Sequence, residues 1–145
     1  MTAPKSVDSL LENARTHIVR LTPTEAAEAM ASGALFIDLR PLEYRWRYGE
    51  IIGAIPVSRH VLEWRLDPSS EHRIQELDAG DYEHEIVLMC NEGYTSSLAA
   101  HTLMRDLGLK DVKDVIGGFA GWAAEGLPYL SRLGAPAMPS GHEPG

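Results

Sequence analysis

The chain contains one cysteine, Cys90, and its setting gives it chemistry. It follows four apolar residues, Ile86-Val87-Leu88-Met89, and precedes Asn91-Glu92-Gly93-Tyr94, after which helical spacing begins. A loop between a strand and a helix can curl its backbone N–H groups around a sulfur, with the positive end of the helix dipole close behind. Both effects favour thiolate, the nucleophilic form. Gly93 can take the left-handed conformation a tight cradle needs. The hydroxyls of Thr95 and Ser96 can cap the helix or donate to the oxygens of a bound anion. The competing reading is an inert buried cysteine. A single cysteine excludes an intramolecular disulfide and every multi-cysteine zinc site. The histidines are scattered without ligand spacing, so no metal and no cofactor is expected. His101, the nearest downstream, would lie about 9 Å beyond the helix start at a rise of about 1.5 Å per residue, too far to be a general base for Cys90.

The elements that must position Cys90 are partly legible. Thr22-Pro23-Thr24-Glu25 combines an N-cap, a proline at the first helical position and the closing member of a capping box. The helix it starts is expected to run through Ala26 to Ser32, with Gly33 after it. Three apolar runs follow: Ala34–Ile37 ending at Asp38, Ile86–Met89 ending at Cys90, and Val115–Ile116 ending at Gly117-Gly118. Such runs suit strands of a parallel sheet buried on both faces. Ala99, Leu103 and Leu107 repeat every four residues, which predicts a helix over Thr95–Leu107 stopped by Gly108. Strands alternating with helices imply an α/β fold built from right-handed crossovers. In such sheets ligands sit beyond the carboxyl ends of the strands, which is where Asp38, Cys90 and Gly117 fall.

Length and charge narrow the function classes. The 145 residues suit one domain, and 44% hydrophobic with 23% charged residues is ordinary for a globular protein. A short helix is expected over Val7–Thr16, giving an N-terminal extension over residues 1–15. One domain should fill residues 16–130, with a flexible tail over 131–145, where Pro and Gly are frequent. The net charge of −8 argues against nucleic acid and anionic membranes as partners. No apolar run reaches about 18 residues and no h-region follows Met1–Ser6, so a cytoplasmic setting is the default.

The motifs together resemble the rhodanese-like family. Asp38-Leu39-Arg40 resembles its D-x-R element, and Gly49-Glu50-Ile51-Ile52-Gly53-Ala54 its G-H-I-P-G-A element. Cys90 through Ser96 resembles its active loop. Gly117-Gly118-Phe119-Ala120-Gly121-Trp122, with Gly126-Leu127-Pro128, is similar to its G-G-x-x-x-W…G-L-P ending. Order and spacing agree across roughly Thr22 to Leu130. The resemblance implies a five-stranded parallel sheet flanked by helices on both faces. It implies a sulfurtransferase in which Cys90 takes sulfane sulfur from a donor such as thiosulfate, carries it as a persulfide and passes it to a thiol or cyanide. Asn91, Glu92, Gly93, Tyr94, Thr95 and Ser96 would form the cradle. Asp38 and Arg40 would support that loop by ion pairing and hydrogen bonds; their plainer reading is a surface ion pair. The partners would be a small-molecule donor and a thiol acceptor; the sequence leaves the oligomeric state open.

The departures from the family pattern matter unequally. Glu50 stands for its His and Ile52 for its Pro, at positions that look structural. Thr95 stands where many members have Arg, and Thr is an accepted variant. A Glu92 carboxylate inside the cradle would disfavour both a thiolate and dianionic thiosulfate, an effect that becomes small if Glu92 turns outward. Phosphatases and arsenate reductases that share the fold use C-x5-R, and Ser96 occupies the required Arg position. A non-catalytic binding or sulfur-carrier module is the other alternative, which the presence of Cys90 opposes. Tyr44, Trp46, Tyr48 and Trp122 are expected in the core, with room for one of them at the pocket mouth. Arg45, Arg47, Arg59 and Arg65 read as a solvated helix face sooner than as a basic patch.

Overall fold

The computed structural model describes residues 3–131. The tail expected over residues 131–145 lies outside them, apart from Ser131. Helix α1 (Val7–Thr16) starts at Ser6, whose side chain accepts from the Ser9 N–H. Strand β1 (Arg20–Leu21) leads to α2 (Pro23–Ala31), where both bonds of the Thr22–Glu25 capping box form. Then come β2 (Leu35–Asp38), α3 (Leu42–Tyr48), β3 (Ile55–Pro56), a 3-10 turn (Arg59–Val61) and α4 (Leu62–Leu66). Strand β4 (Ile86–Met89), α5 (Thr95–Leu107), β5 (Val112–Val115) and α6 (Gly118–Ala124) complete the chain. Gly108 ends α5 in the left-handed conformation, φ 76°.

The five strands form one parallel sheet in the order β1-β5-β4-β2-β3. Strands β2 and β4 are buried throughout, so side chains of period two fill both faces. Leu35, Ile37, Ile86, Leu88 and Val112 join Leu62 and Leu66 of α4 and Ala99 and Leu103 of α5. On the other face Phe36, Val87, Met89 and Val115 join Ala26 of α2, Tyr48 of α3, and Phe119 and Trp122 of α6. The helices flank both faces, and the apolar runs are strands because both faces need apolar side chains.

Three sequence expectations need correction. The third strand is Val112–Val115, not Val115–Ile116; Ile116 is 44% exposed. Its start was hidden by Lys113 and Asp114, which break the apolar run although Asp114 is fully buried. Helix α2 ends at Ala31, with Ser32 as its C-cap. Among the aromatic residues, Tyr48 and Trp122 are buried, Tyr44 is half-buried and Trp46 is exposed.

The Gly117-Gly118 turn brings the end of β5 against the segment that follows β4. Gly118 has φ +58°, and a Cβ there would meet the Cys90 carbonyl oxygen at 2.4 Å and the Gly93 nitrogen at 2.8 Å. Those neighbours are backbone and cannot swing aside. Gly118→Ala is therefore expected to destabilise the protein by at least about 2 kcal/mol, within the usual cost of overpacking, read as a lower urea midpoint.

Candidate active site

Three strand ends meet at one edge of the sheet. Asp38 pairs with Met89 across β2 and β4, and the Leu39 N–H donates to the Met89 carbonyl at 2.8 Å. From the β5 side, the Phe119 N–H donates to the Cys90 carbonyl at 2.9 Å and the Ala120 N–H to the Asn91 carbonyl at 3.0 Å. The segments that carry Asp38, Cys90 and Gly117 are thus joined through their chain neighbours at this edge.

Around the Cys90 sulfur the loop closes as a ring of donors. The Gly93 N–H donates to Sγ at 3.2 Å and the Ser96 N–H at 3.4 Å. The S–H itself donates to Ser96 Oγ at 3.2 Å. Ser96 spends its one hydroxyl proton on Asp114 Oδ2 at 2.8 Å, and Ser97 donates to the same oxygen at 2.7 Å. Arg20 from β1 grips Asp114 with Nε at 2.8 Å and Nη2 at 3.2 Å. The Gly93 carbonyl accepts from Arg15 at 2.7 Å and from Arg20 at 2.9 Å. Tyr94, the N-cap residue of α5, is 42% exposed, and the Arg15 guanidinium stands 5.8 Å over its ring.

The sulfur is more reluctant to ionise than the sequence suggests. Burial is the main cause, pushing the Cys90 thiol above its ordinary value of 9.0. Hydrogen bonds from Ser96 and Gly93 pull the other way, and the charge of Asp114 adds to the rise. The Ser96 hydroxyl helps a thiolate only by turning its proton from Asp114 to Sγ, since a hydroxyl has one proton to give. Ser97 and Arg20 still satisfy Asp114 when that happens. The carboxylate whose charge reaches the sulfur is therefore Asp114, not Glu92. Glu92 does not line the cavity beside Cys90, and its Oε1 is buried without a hydrogen-bond partner among the described residues.

Asp38 and Arg40 are not a surface pair. Both are buried, with Arg40 bidentate on Asp38 at 3.1 and 2.9 Å. Arg40 Nη2 also donates to the Gly49 carbonyl at 2.7 Å, and its guanidinium lies 4.0 Å from the centre of the Phe119 ring. The pair reaches the Cys90 loop through Phe119, whose N–H holds the Cys90 carbonyl. Of the four arginines read as a helix face, Arg45 pairs with Glu50 and Arg59 with Glu63. Arg65 donates to the His72 carbonyl. His101 stacks on His17, 4.6 Å between ring centres.

Beside Cys90 is a cavity of ≈ 400 Å³, lined among others by Leu39, Arg40, Tyr44, Arg59 and Thr95. That is the size of a small-molecule site. The sequence reading missed Arg15, Arg20, Ser97 and Asp114. One signal existed: a lone acid between Val112 and Val115, in a strand that had to be buried.

This fold and loop define a protein class. The rhodanese-like domain family model matches residues 22–125, and the chain belongs to that family. A thiosulfate sulfurtransferase GlpE of Haemophilus influenzae is 32% identical over 108 residues, 74% of this chain and 90% of that protein. The Actinobacillus succinogenes protein of the same name is 31% identical, over 79% of this chain and 92% of its own length. Among solved structures, a protein of unknown function from Rhodopseudomonas palustris, described as a possible tyrosine phosphatase, has TM-score 0.76 and 30% identity. The match covers 90% of this chain and 98% of that one. The polysulfide-sulfur transferase homodimer of Wolinella succinogenes has TM-score 0.67 and 27% identity, covering 86% of each chain.

The rate of Cys90 alkylation by iodoacetamide is expected to keep rising through pH 9.0, because only the thiolate reacts and the folded protein holds the thiol above that value. A plateau near neutral pH would contradict this. Asp114→Asn should move the midpoint down, and Glu92→Gln should leave it in place.

Proposed function

We propose that this sulfurtransferase carries sulfane sulfur as a persulfide on Cys90, taking it from a small anionic donor such as thiosulfate and handing it to a thiol or cyanide. The observation that carries the reading is the convergence of the Gly93 and Ser96 N–H groups on the sulfur of the one cysteine, which itself lines the cavity. Preorganised donors of this kind stabilise negative charge on a bound sulfur at the moment it forms.

The cycle has two halves. In the first, Sγ attacks the outer sulfur of thiosulfate. An Sγ–S bond forms, the bond to the sulfite sulfur breaks, its electron pair leaves on sulfite, and the thiol proton is released to solvent. In the second, the acceptor attacks the outer sulfur, the Sγ–S pair returns to Sγ, and the sulfur is reprotonated. With one cysteine in the chain, no internal thiol competes for the persulfide, so the acceptor comes from outside. The raised thiol makes the first half the step most helped by alkaline pH. Arg59 at the cavity wall, held by Glu63 and facing a wall that also carries Glu43, is a cation within reach of an anionic donor. Glu92 is off that wall, and the carboxylate charge that opposes a Cys90 thiolate comes from Asp114 instead. The loop residues Asn91 to Ser96 hold the sulfur, and Asp38 with Arg40 braces the end of β2 beneath Phe119. The cytoplasm, where low-molecular-mass thiols are abundant, is the setting that fits.

A phosphatase reading is kept in view by the solved neighbour described as a possible tyrosine phosphatase. Oxyanion chemistry of that type uses a guanidinium six residues after the cysteine. Here that residue is Ser96, fully buried and bonded to Asp114. A module that only binds partners would have no use for donors aimed at a sulfur, whereas a sulfur carrier would use them as the enzyme does.

The test is intact mass after thiosulfate and then after cyanide. The expected result is a gain of one sulfur that cyanide removes as thiocyanate. Cys90→Ser should lose at least about a thousandfold in kcat/KM, the scale of removing a nucleophile, while unfolding at the same urea concentration. Hydrolysis of p-nitrophenyl phosphate without sulfur uptake would support the phosphatase instead.

A further inference from the structure

On the side of the loop away from the cavity, two guanidinium groups converge on one carbonyl. Arg15 Nη2 and Arg20 Nη2 lie 2.7 and 2.9 Å from the Gly93 oxygen. Arg20 is also committed to Asp114, whereas the second bond of Arg15 goes to Ser97 Oγ at 3.1 Å. Gly93 is the residue whose N–H reaches Sγ, and it has φ +86°. A glycine resists rotation less than any other residue, so its setting depends on what its neighbours impose. A Cβ at Gly93 would meet the Gly117 nitrogen at 2.8 Å, so one side is closed by backbone. The carbonyl side is closed by the two arginines.

We propose that Arg15 is a positioning residue for sulfur transfer, and that helix α1 is thereby part of the sulfur cradle. The proposal rests on the reading of Cys90 as sulfur carrier. Arg15 precedes residues 22–125, the stretch that matches the family, so this brace comes from outside the matched domain. Its planar fork suits a brace, because one arm fixes the carbonyl of Gly93 while the other fixes Ser97, whose hydroxyl holds Asp114. Losing it leaves the Gly93 carbonyl to Arg20 alone and loosens the setting of the N–H that reaches Sγ. It also loosens one of the two hydroxyls that keep Asp114 occupied. Both changes disfavour a charged sulfur.

The charged and titratable groups near the sulfur include Asp114 on β5, Arg20 on β1, Arg15 on α1 and Glu92 of the loop, whose Oε1 is buried. On the cavity side are Arg40, Glu43, Tyr44, Arg59 and His60. Helix α1 reaches the Gly93 carbonyl through Arg15.

The experiment uses the full chain with thiosulfate and cyanide, together with the pH profile of Cys90 alkylation by iodoacetamide. Arg15→Gln is expected to lower kcat/KM roughly tenfold, the scale of one charge-assisted hydrogen bond, and to move the alkylation midpoint to higher pH. Arg15→Lys restores one of the two bonds and should fall between. His17→Ala removes the stack on His101 from the same helix contact without touching Gly93 and should leave both readouts at wild-type values. The proposal is overturned if Arg15→Gln keeps the wild-type rate and midpoint. It is equally overturned if His17→Ala matches Arg15→Gln in both, since α1 would then be a staple only. If the wild-type protein takes up no sulfur, the reading of Cys90 fails, and the alkylation midpoint alone decides for or against Arg15.

Discussion

The Cys90 sulfur is held out of water at the end of β4, where a negative charge is costly unless hydrogen-bond donors replace the lost solvent. The surrounding structure answers that constraint. The loop curls so that two N–H groups point inward, which requires a left-handed glycine at Gly93. The tight loop leaves no room for a side chain at Gly118, and Gly117 before it turns the chain at φ +77° against Gly121 of α6. Helix α6 then begins where its first N–H groups can hold the loop carbonyls.

Charge is ordered around the sulfur in layers. Asp114 opposes ionisation of Cys90 but commits the hydroxyls of Ser96 and Ser97, and Arg20 offsets its charge. Burial above all, with the Asp114 charge added, favours the protonated thiol over the thiolate. In the proposed cycle the charge of a loaded cysteine would sit on an outer sulfur and not on Sγ itself. The buried Asp38–Arg40 pair does comparable work for the neighbouring strand: Arg40 joins the carboxylate, the Gly49 carbonyl and the Phe119 ring in one place.

Much of this was legible in the residues. The capping box at Thr22, the runs ending at Asp38 and Cys90, and the stop at Gly108 carry local signals strong enough to stand without tertiary contacts. Resemblance to the rhodanese-like family supplied the strand count, because Arg20–Leu21 and Ile55–Pro56 are too short for any periodicity. Asp114 is hard to read as a site residue from the sequence, because a charge in a strand ordinarily marks a solvent face. Its partner Arg20 is 94 residues away in sequence, and only the β1–β5 pairing brings them together. Glu92 drew attention because it is in the loop, yet adjacency in sequence did not put it on the cavity wall. Arg15 lay in a segment read as an extension, and nothing local links a helix end to a carbonyl 78 residues on.

The central claim is that the donor ring around Cys90 is built to hold an outer sulfur. A crystal structure of the protein soaked in thiosulfate tests it most directly. The account predicts one extra sulfur bonded to Sγ, within hydrogen-bond distance of loop N–H groups and facing the cavity lined by Leu39, Tyr44 and Arg59. An unmodified Sγ, or an outer sulfur turned away from the loop N–H groups, would contradict it.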